Sequence, residues 1–485
     1  MRSITTILIS FFLLMQLCAQ SNKLQSRINA AIASSDFKFA SVGISVIDVK
    51  SGNVLAGIED NKVLIPASSQ KVITTFAALE FLGEDFRYET RIAYDGKIQP
   101  DGTLEGNLYI IGSGDPTLGS GKFSDNFNFE DLLKNVVKEI NDFGITCIDY
   151  DIIADESYLH SFPVCPSWQW NDLGNYYAAG AWGLNINENQ YLVAFDKRGT
   201  VGLRPRIKYY SPEIPGIKFS NEIVVDSSNT KDNAYIFGGP NNYYKRIVGT
   251  IPAGEGNFYI KGSIPDPPLF AAFQLHKRLK KAGIESNSYK SIYTPRDAKK
   301  LKRKDIIKIT SPDLKTIAKQ ANFRSNNLYC ESMLKTIAKE KGHTGSGGHG
   351  LYEINKFLNR MKIDTRGIHM EDGSGLSVRN NISPKSLASF LQKMTKKKDL
   401  AELCKLLAVG GRNGTVAGLF RGSKAAGRVY VKSGSMNRVM TYTGYIHCKS
   451  GKWVSFSVMA NGFNSEPKVM RRKLEKVMTN IYLYG

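Results

Sequence analysis

The spacing of apolar residues changes character several times along the chain. Residues 41–60, SVGISVIDVKSGNVLAGIED, alternate apolar and polar around Lys50-Ser51-Gly52, a pattern that predicts a β-hairpin. IPASSQKVITTFAALEFLG, residues 65–83, starts polar. It then places Val72, Phe76, Ala77, Leu79 and Leu82 as a mostly buried helix would, with Pro66 just ahead of it. From about Phe86 to Tyr293 the text turns to short alternating runs rich in Gly, Pro, Asn and Tyr, such as LEGNLYIIGSGDPTL and RPRIKYYSPEIPGIKFSNEIVV. Helical spacing shows there only at Phe129–Phe143 and Phe270–Ala282. After about residue 305 helical runs return (SPDLKTIAKQANF, NNLYCESMLKTIAKEKG, GLYEINKFLNRM, SPKSLASFLQKM). Strand patterns and a last helix through Val469–Leu483 follow. GHTGSGGHG, residues 342–350, reads as a flexible loop. Strand and helix in front, helices and strands behind, predict an α/β domain over 21–85 and 300–485. An inserted β-rich region over 86–299, read as two subdomains, interrupts it.

Composition narrows the class. A chain of 485 residues is too long for one core of ordinary size. Its 42% hydrophobic and 22% charged residues are those of a globular protein. Residues 1–20 read as a signal peptide: Arg2, the apolar run Ile7 to Leu17, then Cys18-Ala19-Gln20. The run is too short to span a membrane, and no later segment looks like a span, so the protein is expected to be exported to the periplasm. Cys147, Cys165, Cys330, Cys404 and Cys448 remain after cleavage, an odd and scattered set that supports neither a disulfide framework nor a zinc site. The net charge of +21 favours an anionic surface or polymer as a neighbour. Its clusters, Lys299-Lys300-Leu301-Lys302-Arg303-Lys304 and Lys396-Lys397-Lys398, are not interleaved with aromatic residues, so nucleic acid is not expected as a partner.

Candidate chemistry centres on serine and lysine. The 6 histidines form no HExxH pair, and no G-x-S-x-G elbow occurs. A serine nucleophile therefore needs another base. Lys71, three residues after Ser68, can serve if its pKa falls from about 10.4 through desolvation and a neighbouring cation. S-x-x-K is weak by itself, for it recurs at Ser35/Lys38, Ser228/Lys231, Ser332/Lys335 and Ser465/Lys468. Ser68 stands out by opening a buried helix, whose N-terminus can face an oxyanion. Ser332 reads instead as part of a surface-like amphipathic helix, and Ser465 as a loop residue. A second element, S-x-N, is supplied by Ser325-Asn326-Asn327, whereas Ser124-Asp125-Asn126 lies in the insertion. A third, K-[ST]-G, occurs three ways: Lys50-Ser51-Gly52 and Lys449-Ser450-Gly451 as hairpin tips, and Lys432-Ser433-Gly434 at the end of a strand, followed by Ser435. The order Ser68, Ser325, Lys432 is that of serine acyltransferases that use a lysine base.

On these residues the chain resembles the class C low-molecular-mass penicillin-binding proteins, the D-alanyl-D-alanine carboxypeptidase/endopeptidases. PASSQKVITTFAAL, GSGDPTL (112–118), WQWNDLGNYYAAG (168–180), IPDPPLFAAFQLHKRLKKAGI (264–284) and DGSGLS (372–377) carry the likeness over essentially the whole mature chain. The resemblance implies a penicillin-binding-protein or serine β-lactamase-like transpeptidase domain interrupted by inserted β-rich domains. It implies an acyl-enzyme on Ser68, with Lys71 taking its proton. Ser325 and Lys432 shuttle protons and bind the terminal carboxylate, and Asn327 holds the peptide. Ser433 and Gly434 complete the strand motif, and the N–H groups of Ser68 and Ser435 form the oxyanion hole. Asp155 matches a position that can contact the amino group of the peptide's diamino acid. Peptidoglycan peptides are the implied substrates and β-lactam antibiotics the implied covalent inhibitors, with no cofactor. Three departures stand out: Asn326 where Asp is usual, Ser433 where Thr is usual, and Val378 ahead of Arg379, which puts a carboxylate role for Arg379 in doubt. A β-lactamase or esterase on the same scaffold, and a non-catalytic wall-binding protein, remain alternative readings.

Overall fold

The computed structural model describes residues 22–124, 126–198, 200–228, 233–292 and 302–485. The segment read as a signal peptide lies outside these residues, as do Asp125, Lys231 and Lys299 to Leu301. Two compact units emerge. One comprises the described residues up to Leu79 together with Ala318–Asn326 and Leu351–Gly485; the other takes in Glu80–Ile317 and Asn327–Gly350.

The first unit is built on a six-stranded antiparallel sheet in the order Ala408–Val409, Val429–Met436, Val439–His447, Trp453–Asn461, Ser41–Asp48, Val54–Ile58. Two of its tight connections are the expected hairpin tips: Lys50-Ser51-Gly52 and Lys449-Ser450-Gly451 are exposed, and each glycine takes positive φ. Side chains alternate across the strands. Ile44, Val46, Met440, Tyr442, Val454, Phe456 and Val458 join one core with Leu24 and Ile28 of the helix over 22–32 and with Met470, Leu474 and Val477 of the helix Pro467–Tyr484. The other face carries small polar residues that admit helices closely. Ser455 Oγ donates to Ala388 O in the helix Pro384–Met394, and a Cβ on Gly43 would lie 2.7 Å from Pro384. Lys71–Leu82 packs against the same helix through Phe76 and Phe390, ring centroids 6.3 Å apart.

The second unit has its own core. Among the described residues a seven-stranded sheet centres on Cys147–Asp155, flanked in parallel by Leu108–Ile111 and by Glu285–Ile292. The helices Phe129–Asp142 and Pro267–Lys281 stack Phe129 on Phe270, centroids 5.6 Å apart. Each is capped as its sequence invites, Asn128 accepting from Asp131 N–H and Asp266 from Leu269 N–H. Two three-stranded sheets complete the strand-rich part.

Two expectations are corrected here. GHTGSGGHG is not all loop: the helix Gly347–Arg360 starts within it, and Gly350 lets its first turn approach Leu334 O, which a Cβ there would meet at 2.2 Å. Ser332 is not on a surface-like helix; Asn327–Glu340 is buried from Leu328 to Ala338, Ser332 and Lys335 included. Arg303, of the first basic cluster, is nearly buried. Its guanidinium is inside, paired with Asp155 and lying over the Tyr109 ring at 4.1 Å.

Candidate active site

Ser68 does not sit in the α-helix proper. Ala67–Gln70 forms a short 3-10 turn that hands over to the helix at Lys71. Ala67 enters it at φ +45°, a left-handed conformation that a side chain tolerates poorly. The turn is tied down from within and from the sheet: Ser69 N–H, Ser69 Oγ and Thr441 Oγ all donate to Pro66 O. Ser68 is thereby left part-exposed while Lys71 behind it is fully buried. Lys71 Nζ lies 2.8 Å from Ser68 Oγ and donates to Ser374 O at 2.5 Å.

The partner loop, Asp372–Ser377, folds around its own carboxylate. Asp372 accepts from Gly375 N–H, Ser377 N–H and Asn380 Nδ2 at 2.7 to 3.0 Å. Its backbone in turn receives the nucleophile segment, Gln70 Nε2 donating to Asp372 O and Thr74 Oγ to Gly373 O. Gly375, at φ +78°, passes so close to Ala67 O that a Cβ would lie 2.1 Å away.

Ser325 ends the helix Leu314–Arg324 in a left-handed conformation, φ +58°, where glycine or asparagine is the usual occupant. Asn326 N–H returns to Ala321 O, so the turn closes as a helix C-cap. One turn back, Asn322 Nδ2 donates to Thr75 Oγ, linking this helix to the one that carries Lys71. Lys432 Nζ reaches Ser325 Oγ at 3.0 Å and its neighbour's carbonyl, Ser433 O, at 2.6 Å.

The strand Val429–Met436 explains why Lys432, Ser433 and Gly434 divide their work. Lys432 and Gly434 share the face that carries Thr441 and Thr443, toward the nucleophile turn, whereas Ser433 and Ser435 point to the opposite face. A Cβ on Gly434 would stand 2.3 Å from Thr441 Oγ, 2.7 Å from Pro66 O and 2.8 Å from Ser69 N, so glycine lets strand and turn touch. Ser433 Oγ shares a 2.7 Å hydrogen bond with Thr415 Oγ. The neighbouring strand Ala408–Val409 pairs only with Tyr430 and Val431, leaving the Ser433–Ser435 edge open. There a cleft of about 280 Å³ is lined by Ser68, Ser325, Thr415, Ser433, Gly434 and Ser435, with Tyr442 and Arg471 at its side.

Two residues predicted from the sequence lie in the other unit. Asn327 opens the helix Asn327–Glu340 and donates through Nδ2 to Tyr177 O at 2.8 Å. Asp155 is buried and already committed, Oδ2 to Arg303 Nη1 at 2.5 Å and Oδ1 to Ser157 N–H at 2.9 Å. Asp155 thus holds an ion pair with Arg303, and both line a cavity of about 520 Å³. Arg379 pairs with Glu371 at 3.5 Å and does not line the cleft. Sequence reasoning missed Asp372 as the organiser of a loop, Thr415, and Arg471. The DGSGLS motif held a signal for the first; isolated residues held none for the others.

The Ser332/Lys335 pair does not reproduce this arrangement. Lys335 Nζ donates to Phe162 O and Ala181 O, and burial pushes it down to about 8. Ser332 Oγ has no hydrogen-bond partner among the described residues. Among the described residues no disulfide forms, and burial pushes the Cys404 and Cys448 thiols up to about 12. Among the described residues no His, Cys, Asp and Glu cluster could hold a metal ion, and no helix is long and apolar enough to cross a membrane.

A serine hydroxyl with a buried amine at hydrogen-bond distance, beside a second lysine–serine pair, defines a serine hydrolase site that works without histidine. The chain belongs to the D-Ala-D-Ala carboxypeptidase 3 (S13) family, whose model matches residues 24–481, and it is a serine-type peptidase of that family. It is 26% identical over 453 residues to the D-alanyl-D-alanine carboxypeptidase DacB of Haemophilus influenzae, covering 91% of this chain and 90% of that protein. The D-alanyl-D-alanine carboxypeptidase of Actinomadura sp. (strain R39) is 25% identical over 457 residues, 92% of this chain and 82% of the relative. Penicillin binding protein 4 from Haemophilus influenzae superposes with a TM-score of 0.80 at 24% identity, covering 94% of this chain and 98% of that one. The fold is accordingly the α/β penicillin-binding-protein fold that the resemblance implied.

Proposed function

We propose that the protein removes the terminal D-alanine from peptidoglycan stem peptides, or opens their crosslinks, through an acyl-enzyme on Ser68, and that it does so in the periplasm after export. The observation that carries this is Lys71 Nζ at 2.8 Å from Ser68 Oγ, at the floor of an open cleft. A fully buried amine is the setting in which lysine serves as a base. In this reading Ser68 Oγ attacks the carbonyl carbon while its proton passes to Lys71. The N–H groups of Ser68 and Ser435 hold the oxyanion. Ser325, bonded to Lys432, returns a proton to the departing amine, and water then releases the shortened peptide. The open edge at Ser433–Ser435 can pair with an extended peptide as an added strand. Roles for Asn327 and Asp155 rest on the family resemblance alone.

Intact-mass analysis of the mature protein after benzylpenicillin tests the reading. One covalent adduct is expected on the wild type, none on Ser68→Ala, and Lys71→Ala should acylate about 10²- to 10⁴-fold more slowly. Rapid turnover of the antibiotic without an adduct would favour a β-lactamase. An inert wild type would favour a wall-binding protein.

A further inference from the structure

The first unit holds a second cavity, about 570 Å³ in volume, that shares no lining residue with the catalytic cleft. Two segments supply its charges. The helix Pro384–Met394 contributes Lys385, Ser389 and Lys393, spaced four residues apart and so aligned on one face. The loop after the helix Gly347–Arg360 contributes Lys362 and Arg366. Glycine seats that loop on the helix start: Ser383 N–H donates to Gly367 O at 2.8 Å, and a Cβ on Gly367 would lie 2.7 Å from Ser386 Oγ. Four cations thus face a single carboxylate, Asp364, and Arg366 takes both its oxygens, through Nε at 2.9 Å and Nη2 at 2.8 Å. Lys393 Nζ donates to Met361 O at 2.9 Å and Lys362 O at 2.5 Å, contacts that orient the ammonium without cancelling its charge. Among the described residues Lys362 and Lys385 form no ion pair. The crowding is felt at Lys393, which burial, with Lys396 and Lys362 adding to it, pushes below the usual lysine range. Lys396 opens the cluster Lys396-Lys397-Lys398, so the basic surface continues beyond the cavity.

Like charges gathered around a cavity repel one another, and a bound anion relieves that repulsion. The excess here is larger than one carboxylate would balance. A phosphate monoester carries about 1.5 to 2 negative charges at pH 7 and several strong acceptor oxygens, and lysines hold it as point charges rather than through a planar fork. We propose that this cavity binds a phosphate-monoester group, with Lys362, Lys385 and Lys393 as its cations and the Ser389 hydroxyl as a further donor. The site uses none of the residues of the acyl-enzyme reading and stands or falls independently of it.

Titration calorimetry at low ionic strength decides it, with glycerol 3-phosphate as the ester and glycerate as the matched carboxylate. Wild type is compared with Lys362→Gln, Lys385→Gln and Lys449→Gln. Lys449, exposed at a hairpin tip, carries the same charge outside the cavity. Wild type is expected to bind glycerol 3-phosphate at least about 10-fold more tightly than glycerate. Lys362→Gln and Lys385→Gln should each weaken the ester about 3- to 10-fold, and Lys449→Gln by less than about 2-fold. Matched circular dichroism spectra show that the variants are folded, so that a loss reads as lost binding. Sedimentation with vesicles of phosphatidic acid in phosphatidylcholine separates two sources of the same group. Capture that Lys385→Gln loses would put the phosphate on a lipid headgroup; capture that it keeps, or none, would leave a soluble ester. Equal affinity for ester and carboxylate, an equal loss in Lys449→Gln, or no binding of glycerol 3-phosphate by wild type overturns the proposal and leaves these lysines a solvated face.

Discussion

Gly434 shows how much a single missing side chain contributes. The nucleophile turn and the motif strand touch through it, and the atoms a Cβ would meet are mostly backbone, which cannot swing aside. Gly434→Ala is expected to cost about 1–3 kcal/mol, as overpacking does, and to slow acylation by benzylpenicillin at least about tenfold. An acylation rate equal to wild type would show that the strand can retreat without harm. Ser332 is the converse case. Its hydroxyl is buried without a partner among the described residues, so Ser332→Ala should leave acylation unchanged and stability equal or up to about 1 kcal/mol higher by urea denaturation. The motif residues were legible in the chain: Ser68, Lys71, Ser325 and Lys432 converge as their order suggested. What the chain did not disclose was burial. The amphipathic spacing of Asn327–Glu340 has a polar stripe, and Ser332 and Lys335 belong to it, yet the surrounding segments cover that stripe and satisfy Lys335 with two carbonyls.

At the scale of elements, the site is a meeting of a turn, a loop, a helix end and a strand. The loop receives Gln70, Lys71 and Thr74 from the nucleophile segment, and Asp372 ties it together from within. Asp372→Ala removes the carboxylate that accepts from Gly375, Ser377, Asn380 and Gln70 and leaves buried donors behind, which should cost on the order of 2–4 kcal/mol. Because Lys71 donates to Ser374 O in the same loop, acylation should slow as well. If Asp372→Ala kept wild-type acylation while losing stability, the loop would be a brace only. Hairpins and helices were readable because their determinants are local: alternation around a Gly turn, and apolar residues a turn apart. The 3-10 start of the nucleophile segment was not. It depends on Thr441, 375 positions away, gripping Pro66 O.

At the scale of the molecule, each unit owns its core, and the buried charges concentrate in the unit made of Glu80–Ile317 and Asn327–Gly350. There burial, with Asp266 adding to it, pushes the Glu156 carboxyl up to about 8, against a normal value of 4.5. Between pH 4.5 and 8 the folded state therefore holds a proton that the unfolded chain has lost. Stability from this group is full below 4.5 and falls as pH rises through 8. Asp115, raised to about 6, acts in the same direction at lower pH; Lys335, lowered to about 8, and Lys245, lowered to about 7, act oppositely above those values. The difference between wild type and Glu156→Gln isolates the first effect. In urea titrations the variant's advantage should grow from pH 5 to pH 8, and a constant difference would show that Glu156 ionises normally. What the sequence by itself determined is the set of reactive groups, their order, and the local elements that carry them, since these follow from spacing and turn chemistry within a few residues. Tertiary structure alone decided which S-x-x-K lysine faces its serine, which arginine reaches the cleft, and that Asp155 pairs inward with Arg303. Each of these depends on packing and desolvation between segments far apart in the chain, such as Lys432 and Ser325 at a separation of 107, and no local pattern encodes which distant segment will cover a given side chain.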